Sequence, residues 1–437
     1  MTRDTRAPGN YFGEPIVGQL RRGGPAVWLR PPTDASTNQT PITPGEIREA
    51  EQRLTRFRPV LAALFPGAGW DGRIRSQLLD YPREASLPLL LVKADHDLPM
   101  TGSVKARGGV YELLCRVESL AVANTIVKRG EPLTPLLSPA ARSLFAKHRI
   151  VVASTGNLGF SIGLVARAFG LEAEVHMSHD AKTWKKDRLR RTGANVIEHP
   201  CDYTETVARA RASASATGSY FIDDESSRLL FVGYTTAAAE LAEQLDERGI
   251  KISANTPLVV YLPCGVGGAP GGITAGLKTI FGSNVRCVFV EPVASACVLA
   301  ALAVGEGSPV SVYDIGLDND TIADGLAVPM ASKLVMSSVG ASIDAAVAVP
   351  DATMLEWVRR AWREAKLRLE PSAAAAFAAV PLFIEADRHA GVPTGSTATP
   401  RATLPSTAIH VVWTTGGSQL PDDQFAALLE GTAPATS

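Results

Sequence analysis

The chain has 437 residues, of which 46% are hydrophobic and 20% charged, and its formal net charge at pH 7 is -1. This is ordinary globular composition, long enough for two domains, with no global field to gather nucleic acid or an anionic membrane. No secretory-type apolar segment opens the sequence and no apolar run reaches the length of a membrane span, so neither a nucleic-acid nor a membrane partner is expected. The five cysteines (Cys115, Cys201, Cys264, Cys287 and Cys297) are odd in number and include no Cys-x-x-Cys pair. That argues against disulfides and structural zinc, and the expected location is cytoplasmic.

Residues 1–45, rich in Pro, Gly, Thr and Arg, are expected to form an irregular arm. A helix is predicted from Thr43, with Glu46 completing a capping box and Ile47, Ala50, Leu54 and Phe57 on one stripe. The apolar run 87–92 leads through a turn-like segment into Thr101-Gly-Ser-Val-Lys-Ala-Arg-Gly-Gly109, followed by a helix over 110–123. A second helix is predicted over 140–147. From Ile150 the pattern becomes strand, turn, helix, repeated. Strands at 150–153, 172–177, 195–198 and 220–222 alternate with helices at 160–169, 183–191 and 203–214. Such alternation means βαβ units and a parallel sheet, and 110–235 reads as a smaller domain inserted in a larger one made of 46–109 and 236–437. The larger part continues with a helix over 233–248, a buried strand over 257–262, a glycine-rich turn, a helix over 273–281 and a strand over 285–290. Residues 305–345 read as loop. Helices follow over 354–369 and in the alanine-rich run after Glu370-Pro371-Ser372, with a last buried strand over 409–413. Residues 391–407, rich in Pro, Thr and Ser, are expected to be a mobile surface loop.

Four strand-end turns carry chemistry. Lys105 sits where a strand gives way to a glycine-flanked loop and a helix start. Unpaired N–H groups and the helix dipole make that place electropositive, so the neutral amine is favoured, and a lysine of lowered pKa can form a Schiff base. An ordinary solvated lysine is the alternative. Ser154-Thr155-Gly156-Asn157 ends a parallel strand, where hydroxyl and N–H groups could hold a carboxylate; a simple cap and turn is the rival. Gly265-Val-Gly-Gly268 follows a buried strand and precedes a helix, so its N–H groups could cradle a phosphate. It is not a dinucleotide fingerprint, because the third required glycine falls on Pro270, and it is not a P-loop. A tight turn without ligand is its rival. Thr414-Thr415-Gly416-Gly417 ends the last strand with hydroxyls that could bond a ring nitrogen. Asp223-Asp224-Glu225 lies past a strand end and is either a solvated turn or a partner for a substrate hydroxyl or ammonium. The seven histidines show no metal-ligand spacing.

The order and spacing of these turns resemble the fold type II (tryptophan synthase β-like) pyridoxal-phosphate enzymes, and within them the D-serine dehydratase family. The match is carried by Leu98-Pro-Met-Thr-Gly-Ser-Val-Lys-Ala-Arg-Gly-Gly109, Ser154-Thr-Gly-Asn-Leu-Gly-Phe-Ser-Ile-Gly163 and Phe221-Ile-Asp-Asp-Glu225. It is carried equally by Tyr261-Leu-Pro-Cys-Gly-Val-Gly-Gly268, Ala323-Asp-Gly-Leu-Ala327 and Leu369-Glu-Pro-Ser372. It covers the chain from about residue 43 onward. Ala269 departs from it, standing where the family's glycine run usually continues. The resemblance implies an α/β fold of two open, mainly parallel twisted sheets flanked by helices, with pyridoxal 5'-phosphate as cofactor. It implies that Lys105 holds the cofactor as a Schiff base and takes the α-proton, and that Asn157 bonds the 3'-oxygen. The N–H groups of Gly265, Val266, Gly267 and Gly268 would hold the phosphate, and Thr415, with Thr414 as rival, the ring nitrogen. Ser154, Thr155 and Gly156 would bind the substrate carboxylate, Asp224 or the cofactor phosphate would serve the leaving hydroxyl, and Glu291 would hold a monovalent cation, potassium. The implied reaction is elimination of water from D-serine to give pyruvate and ammonia; L-serine, L-threonine or another 3-hydroxy amino acid is the alternative substrate. The only partner expected is a small amino acid, and the N-terminal arm, if it covers a dimer surface, leaves a monomer.

Overall fold

The structure is a computed structural model and describes residues 11–31, 42–67, 69–82, 88–154, 156–179, 181–201, 203–305, 308–390 and 403–431. The chain divides into two compact units. The first comprises Met1–Pro41, Leu79–Val92 and Arg248–Thr414; the second comprises Ile42–Leu78, Lys93–Glu247 and Thr415–Ser437.

Among the described residues the strands are β1 (Ala26–Leu29), β2 (Leu78–Asp80), β3 (Leu90–Ala94), β4 (Arg149–Ala153), β5 (Glu172–Ser178), β6 (Asn195–His199), β7 (Tyr220–Ile222), β8 (Leu258–Pro263), β9 (Val285–Pro292), β10 (Ala345–Val349) and β11 (Ile409–Thr414). They build a seven-stranded sheet, order β1-β10-β9-β8-β11-β3-β2, and a four-stranded sheet, order β6-β5-β4-β7.

In the first unit β10, β9, β8 and β11 pair in parallel, and β8, β10 and β11 are buried along their whole length. Near-continuous apolar strands of this kind need cover on both faces. The helix Pro371–Ala390 supplies part of it: it packs on β8, β9, β10 and β11, and its buried alanines let it come close. β1 closes the edge antiparallel to β10, Ala26 opposite Ala348 and Leu29 opposite Ala345. The described part of residues 1–45 is therefore not the expected irregular arm, for it holds the helix Pro15–Arg21 and an edge strand. Its order comes from a partner strand far along the chain, which local composition does not reveal.

In the second unit the β4, β5, β6 and β7 sheet is wholly parallel. The predicted alternation places its helices at Asn157–Phe169, Thr183–Arg191 and Tyr203–Thr217. The helix Pro44–Leu64 starts with the expected capping box, Thr43 accepting from the Glu46 N–H and Glu46 from the Thr43 N–H. This helix and Lys105–Ala123 both pack on Arg228–Glu247. So 46–78 and 93–109 join the block expected at 110–235, rather than the part containing 248–414 as the sequence boundaries had them. The crossing of Lys105–Ala123 with Arg228–Glu247 depends on two glycines. A Cβ on Gly108 would stand 2.3 Å from the Tyr234 ring, and one on Gly233 would stand 2.7 Å from the Arg107 carbonyl oxygen.

Candidate active site

In the second unit, the segment between β3 and the next helix is bent by two residues of positive φ, Met100 at 68° and Gly102 at 62°. A side chain on Gly102 would also meet the Ser418 hydroxyl at 2.6 Å. Non-glycine residues adopt such φ values at a cost that recurs at functional loops. The helix then begins at Lys105 itself, five residues earlier than the sequence pattern predicts. The loop is pinned to the segment after β11: the Val104 N–H donates to the Thr415 carbonyl at 2.9 Å, and Ser103 bridges Gly416. Thr415 thus lies beside the lysine loop, half-buried.

Lys105 Nζ donates to Asp224 Oδ2 at 2.8 Å. Burial alone would push this ammonium down, but the Asp224 carboxylate, and after it the Tyr234 hydroxyl, outweigh burial and hold it above its ordinary range. The expected lowered lysine pKa is corrected here. Burial and the helix start do act in the expected direction, but an opposite charge at contact distance outweighs them. The acidic run divides its labour. Asp223 accepts from Ser226 Oγ at 2.6 Å, Arg211 at 2.7 Å and the Glu225 N–H at 3.0 Å, which fixes the turn. Asp224 points at the lysine, and its Oδ1 is buried without a hydrogen-bond partner.

Ser154 Oγ accepts from the N–H groups of Gly156 and Gly159, each at 2.9 Å, capping the helix Asn157–Phe169. That uses its lone pairs and leaves its O–H as a donor. Gly156 lies under the Lys185 side chain, where a Cβ would be 2.6 Å from Lys185 Cδ. Asn157 is the first residue of the helix, and its carbonyl accepts from Ser161 Oγ. Thr155, the remaining carboxylate candidate, lies outside the described residues, as do residues 391–402 of the expected mobile loop.

A buried charge cluster brackets the lysine loop. Asp95 and Lys93 precede it and Arg107 follows it; Lys93 and Arg107 pair with Glu240 of Arg228–Glu247, and Arg107 also pairs with Asp95. Ser76 Oγ donates to Asp95 at 2.6 Å, and Gln244 and Lys93 both donate to the Ser76 carbonyl, at 2.7 and 3.0 Å. Two basic and two acidic side chains face one another in it, and burial pushes the Lys93 ammonium down against the pull of Glu240. Sequence reasoning passed over this cluster and Tyr234, because their members lie on separate elements. The one local signal was glycine beside both Arg107 and Tyr234.

In the first unit, the turn after β8 runs into the helix Gly268–Phe281, which starts five residues earlier than predicted. Gly267 has φ 102°, and a Cβ there would be 2.9 Å from Val335. A Cβ on Gly265 would be 3.2 Å from the Gly325 carbonyl oxygen. The Gly325 N–H in turn donates to Ser372 Oγ at 3.2 Å. Three of the sequence runs that carry the resemblance therefore pack as one piece, and they leave the helix's first N–H groups, at Gly268 and just before it, without helical acceptors. Glu291, fully buried at the end of β9, accepts from the N–H groups of Val298 and Leu299 at 2.7 and 2.8 Å. Burial pushes its carboxyl up to about 7, against those N–H groups and Cys297. Among the described residues no three His, Cys, Asp or Glu side chains gather as a metal site.

Comparison with known proteins agrees with this geometry. Residues 70–397 match the family described as "Pyridoxal-phosphate dependent enzyme". The chain is 44% identical over 430 residues, 95% of each chain, to the protein named "Probable D-serine dehydratase" of Rhizobium etli (strain CIAT 652). It is 43% identical over 438 residues, 96% of this chain and 97% of the relative, to a protein of the same name from Burkholderia lata. Among solved structures it resembles diaminopropionate ammonia lyase from Escherichia coli in complex with D-serine, with TM-score 0.68, 18% identity, and 94% and 98% of the two chains covered. It also resembles the processed form of threonine deaminase isoform 2 from Solanum lycopersicum, with TM-score 0.61, 18% identity, and 92% and 96% covered. At such identities these structures speak for the fold, which is the one the sequence led us to expect.

Proposed function

Because the chain belongs to the pyridoxal-phosphate dependent enzyme family and has the fold type II architecture, we propose that it eliminates water from D-serine to give pyruvate and ammonia. The observation that carries this is the half-buried ion pair of Lys105 with Asp224, 2.8 Å apart. The name shared by relatives at 43–44% identity supports the substrate.

The residues fit the cofactor. Lys105 is a half-buried amine that follows a strained loop; the Gly265–Gly268 turn has no room for a side chain at Gly267 and little at Gly265, and offers N–H groups; Asp224 Oδ1 and the Tyr234 hydroxyl are buried polar atoms without hydrogen-bond partners of ordinary geometry. When bound, pyridoxal phosphate supplies an electron sink for negative charge at the substrate Cα. The N–H groups of Gly265, Val266, Gly267 and Gly268 would hold its phosphate, Asn157 would donate to its 3'-oxygen, and the Thr415 hydroxyl would bond its ring nitrogen. A hydroxyl there does not force protonation of the ring, which favours elimination, where the leaving group takes the charge, over transamination. The Ser154 O–H and the N–H groups at Thr155 and Gly156 hold the substrate carboxylate. The Lys105 amine takes the Cα proton. Asp224 faces the β-hydroxyl and steadies it as it leaves as water. The eliminated product hydrolyses to pyruvate and ammonia.

A potassium ion at Glu291 is not carried into this proposal, since both carboxylate oxygens already serve the start of the helix Cys297–Ala303. The five unpaired cysteines support a cytoplasmic setting. Among the described residues no helix is long and apolar enough to cross a membrane. A monomer is proposed, with gel filtration as its check.

Initial rates of pyruvate formation from D- and L-serine, run in parallel on the purified holoenzyme, test the substrate. The expected result is a clear preference for the D-isomer; preference for L-serine or L-threonine would replace the proposal with the other dehydratase.

A further inference from the structure

Tyr234 has no part in the chemistry above, yet it is one of the largest fully buried side chains in the molecule. Its hydroxyl makes no hydrogen bond of ordinary geometry, although it neighbours the Lys105 ammonium and helps hold that proton. Two buried oxygens without partners, Tyr234 Oη and Asp224 Oδ1, belong to residues that both act on one ammonium from different elements. A buried hydroxyl left without a partner is costly to a fold and calls for an explanation.

The approach is built in. Gly108 stands one helical turn from Lys105, and a Cβ there would overlap the Tyr234 ring at 2.3 Å. Gly233, adjacent to Tyr234, removes the second obstacle, against the Arg107 carbonyl and Tyr111. Two glycines in helix interiors weaken both helices. Here they let a phenol ring lie on the first turn of the Lys105 helix. Burial pushes that phenol well above its ordinary range, so it keeps its own proton and serves as an acceptor for the ammonium.

We propose that Tyr234 is a further catalytic residue, whose hydroxyl accepts a hydrogen bond from Lys105 Nζ and holds that nitrogen where it takes the substrate's Cα proton. This rests on the reading that Lys105 carries the cofactor. The phenol neither gains nor loses a proton: the Cα–H bond breaks, the N–H bond forms at Nζ, and Tyr234 supplies only a lone pair to the resulting ammonium.

The variant Tyr234→Phe tests it, since it keeps the ring against Gly108 and removes one oxygen. Apoprotein is mixed with pyridoxal phosphate across a pH series, reduced with borohydride, and the cofactor fixed on the Lys105 peptide is measured by mass. Losing an acceptor of the ammonium moves the uptake curve of Tyr234→Phe to lower pH, and kcat for D-serine falls about 100-fold with KM little changed. An uptake curve coincident with the wild type, or an unchanged kcat, overturns the proposal. Lys105→Ala, run alongside, separates the two readings. If it still fixes cofactor, the assignment of Lys105 fails whatever Tyr234 does; if it fixes none, the Tyr234 result stands on its own.

Discussion

Arg107 grips both oxygens of Asp95, Nε donating to Oδ2 at 2.6 Å and Nη2 to Oδ1 at 2.7 Å. The pair ties the segment before the lysine loop to the helix after it, and Glu240 takes the guanidinium's remaining side at 2.9 and 3.0 Å. Breaking a buried pair by removing one partner strands the other charge. Asp95→Ala should therefore cost about 3–5 kcal/mol in urea unfolding of the holoenzyme. A loss below about 1 kcal/mol would mean that the cluster is not desolvated as described.

The same cluster gives a pH dependence. Burial raises the Glu240 carboxyl, but Arg107 and Lys93 outweigh burial and bring it down to about 2 from 4.5. A depressed carboxyl adds stability that is complete above its unfolded pKa and is lost as pH falls towards the folded one. Wild-type stability should fall between about pH 4.5 and 2, and the slope should be shallower in Glu240→Gln.

Glu291 has the opposite sign. Its carboxyl is raised to about 7 by burial, so the folded state holds a proton that the unfolded chain has released. That contribution is complete below about 4.5 and is lost as pH rises to about 7. The urea midpoint of wild type relative to Glu291→Gln should decline across that window and then level. A flat difference would mean that Glu291 is ionised throughout.

Asp224→Asn removes the carboxylate that holds the Lys105 proton. Pyruvate formation from D-serine should drop by about 10²–10⁴-fold. In the apoprotein Lys105 should lose its proton at lower pH, so cofactor uptake near neutrality should quicken. Activity within a few-fold of wild type would remove Asp224 from the mechanism.

Gly267→Ala places a Cβ 2.9 Å from Val335 at φ 102°. Strain of this kind costs about 1–3 kcal/mol, and cofactor affinity should weaken by about tenfold or more for each 1.4 kcal/mol that reaches the binding turn. Titration of apoprotein with pyridoxal phosphate, followed by absorbance, reads it directly. Undiminished affinity would show that the turn does not seat the phosphate.

Local signals in the sequence were read well. The Thr43–Glu46 capping box needs only neighbours three residues apart, and it forms as expected. The alternation after Ile150 placed the small parallel sheet to within a few residues, because each βαβ unit is written in consecutive residues. What escaped was non-local. β10, five small apolar residues, begins where the loop expected over 305–345 ends and matches no predicted element, and only its neighbours β1 and β9 make it a strand. Helix starts at Lys105 and Gly268 were placed late because glycine discounts helix on propensity, while here glycine serves close packing. The candidate residues were legible as strand-end turns. The proton affinity of Lys105 was not, because Asp224 lies 119 positions away and its contact, not the helix start, decides the charge.

The central claim is that Lys105 carries the cofactor for D-serine elimination. Borohydride reduction of the purified holoenzyme, followed by peptide mass analysis, tests it most directly. The account predicts the reduced cofactor's mass on the peptide containing Lys105, and no fixed cofactor and no pyruvate formation from D-serine in Lys105→Ala. Cofactor fixed on another lysine, or a Lys105→Ala protein that still makes pyruvate from D-serine, would contradict it.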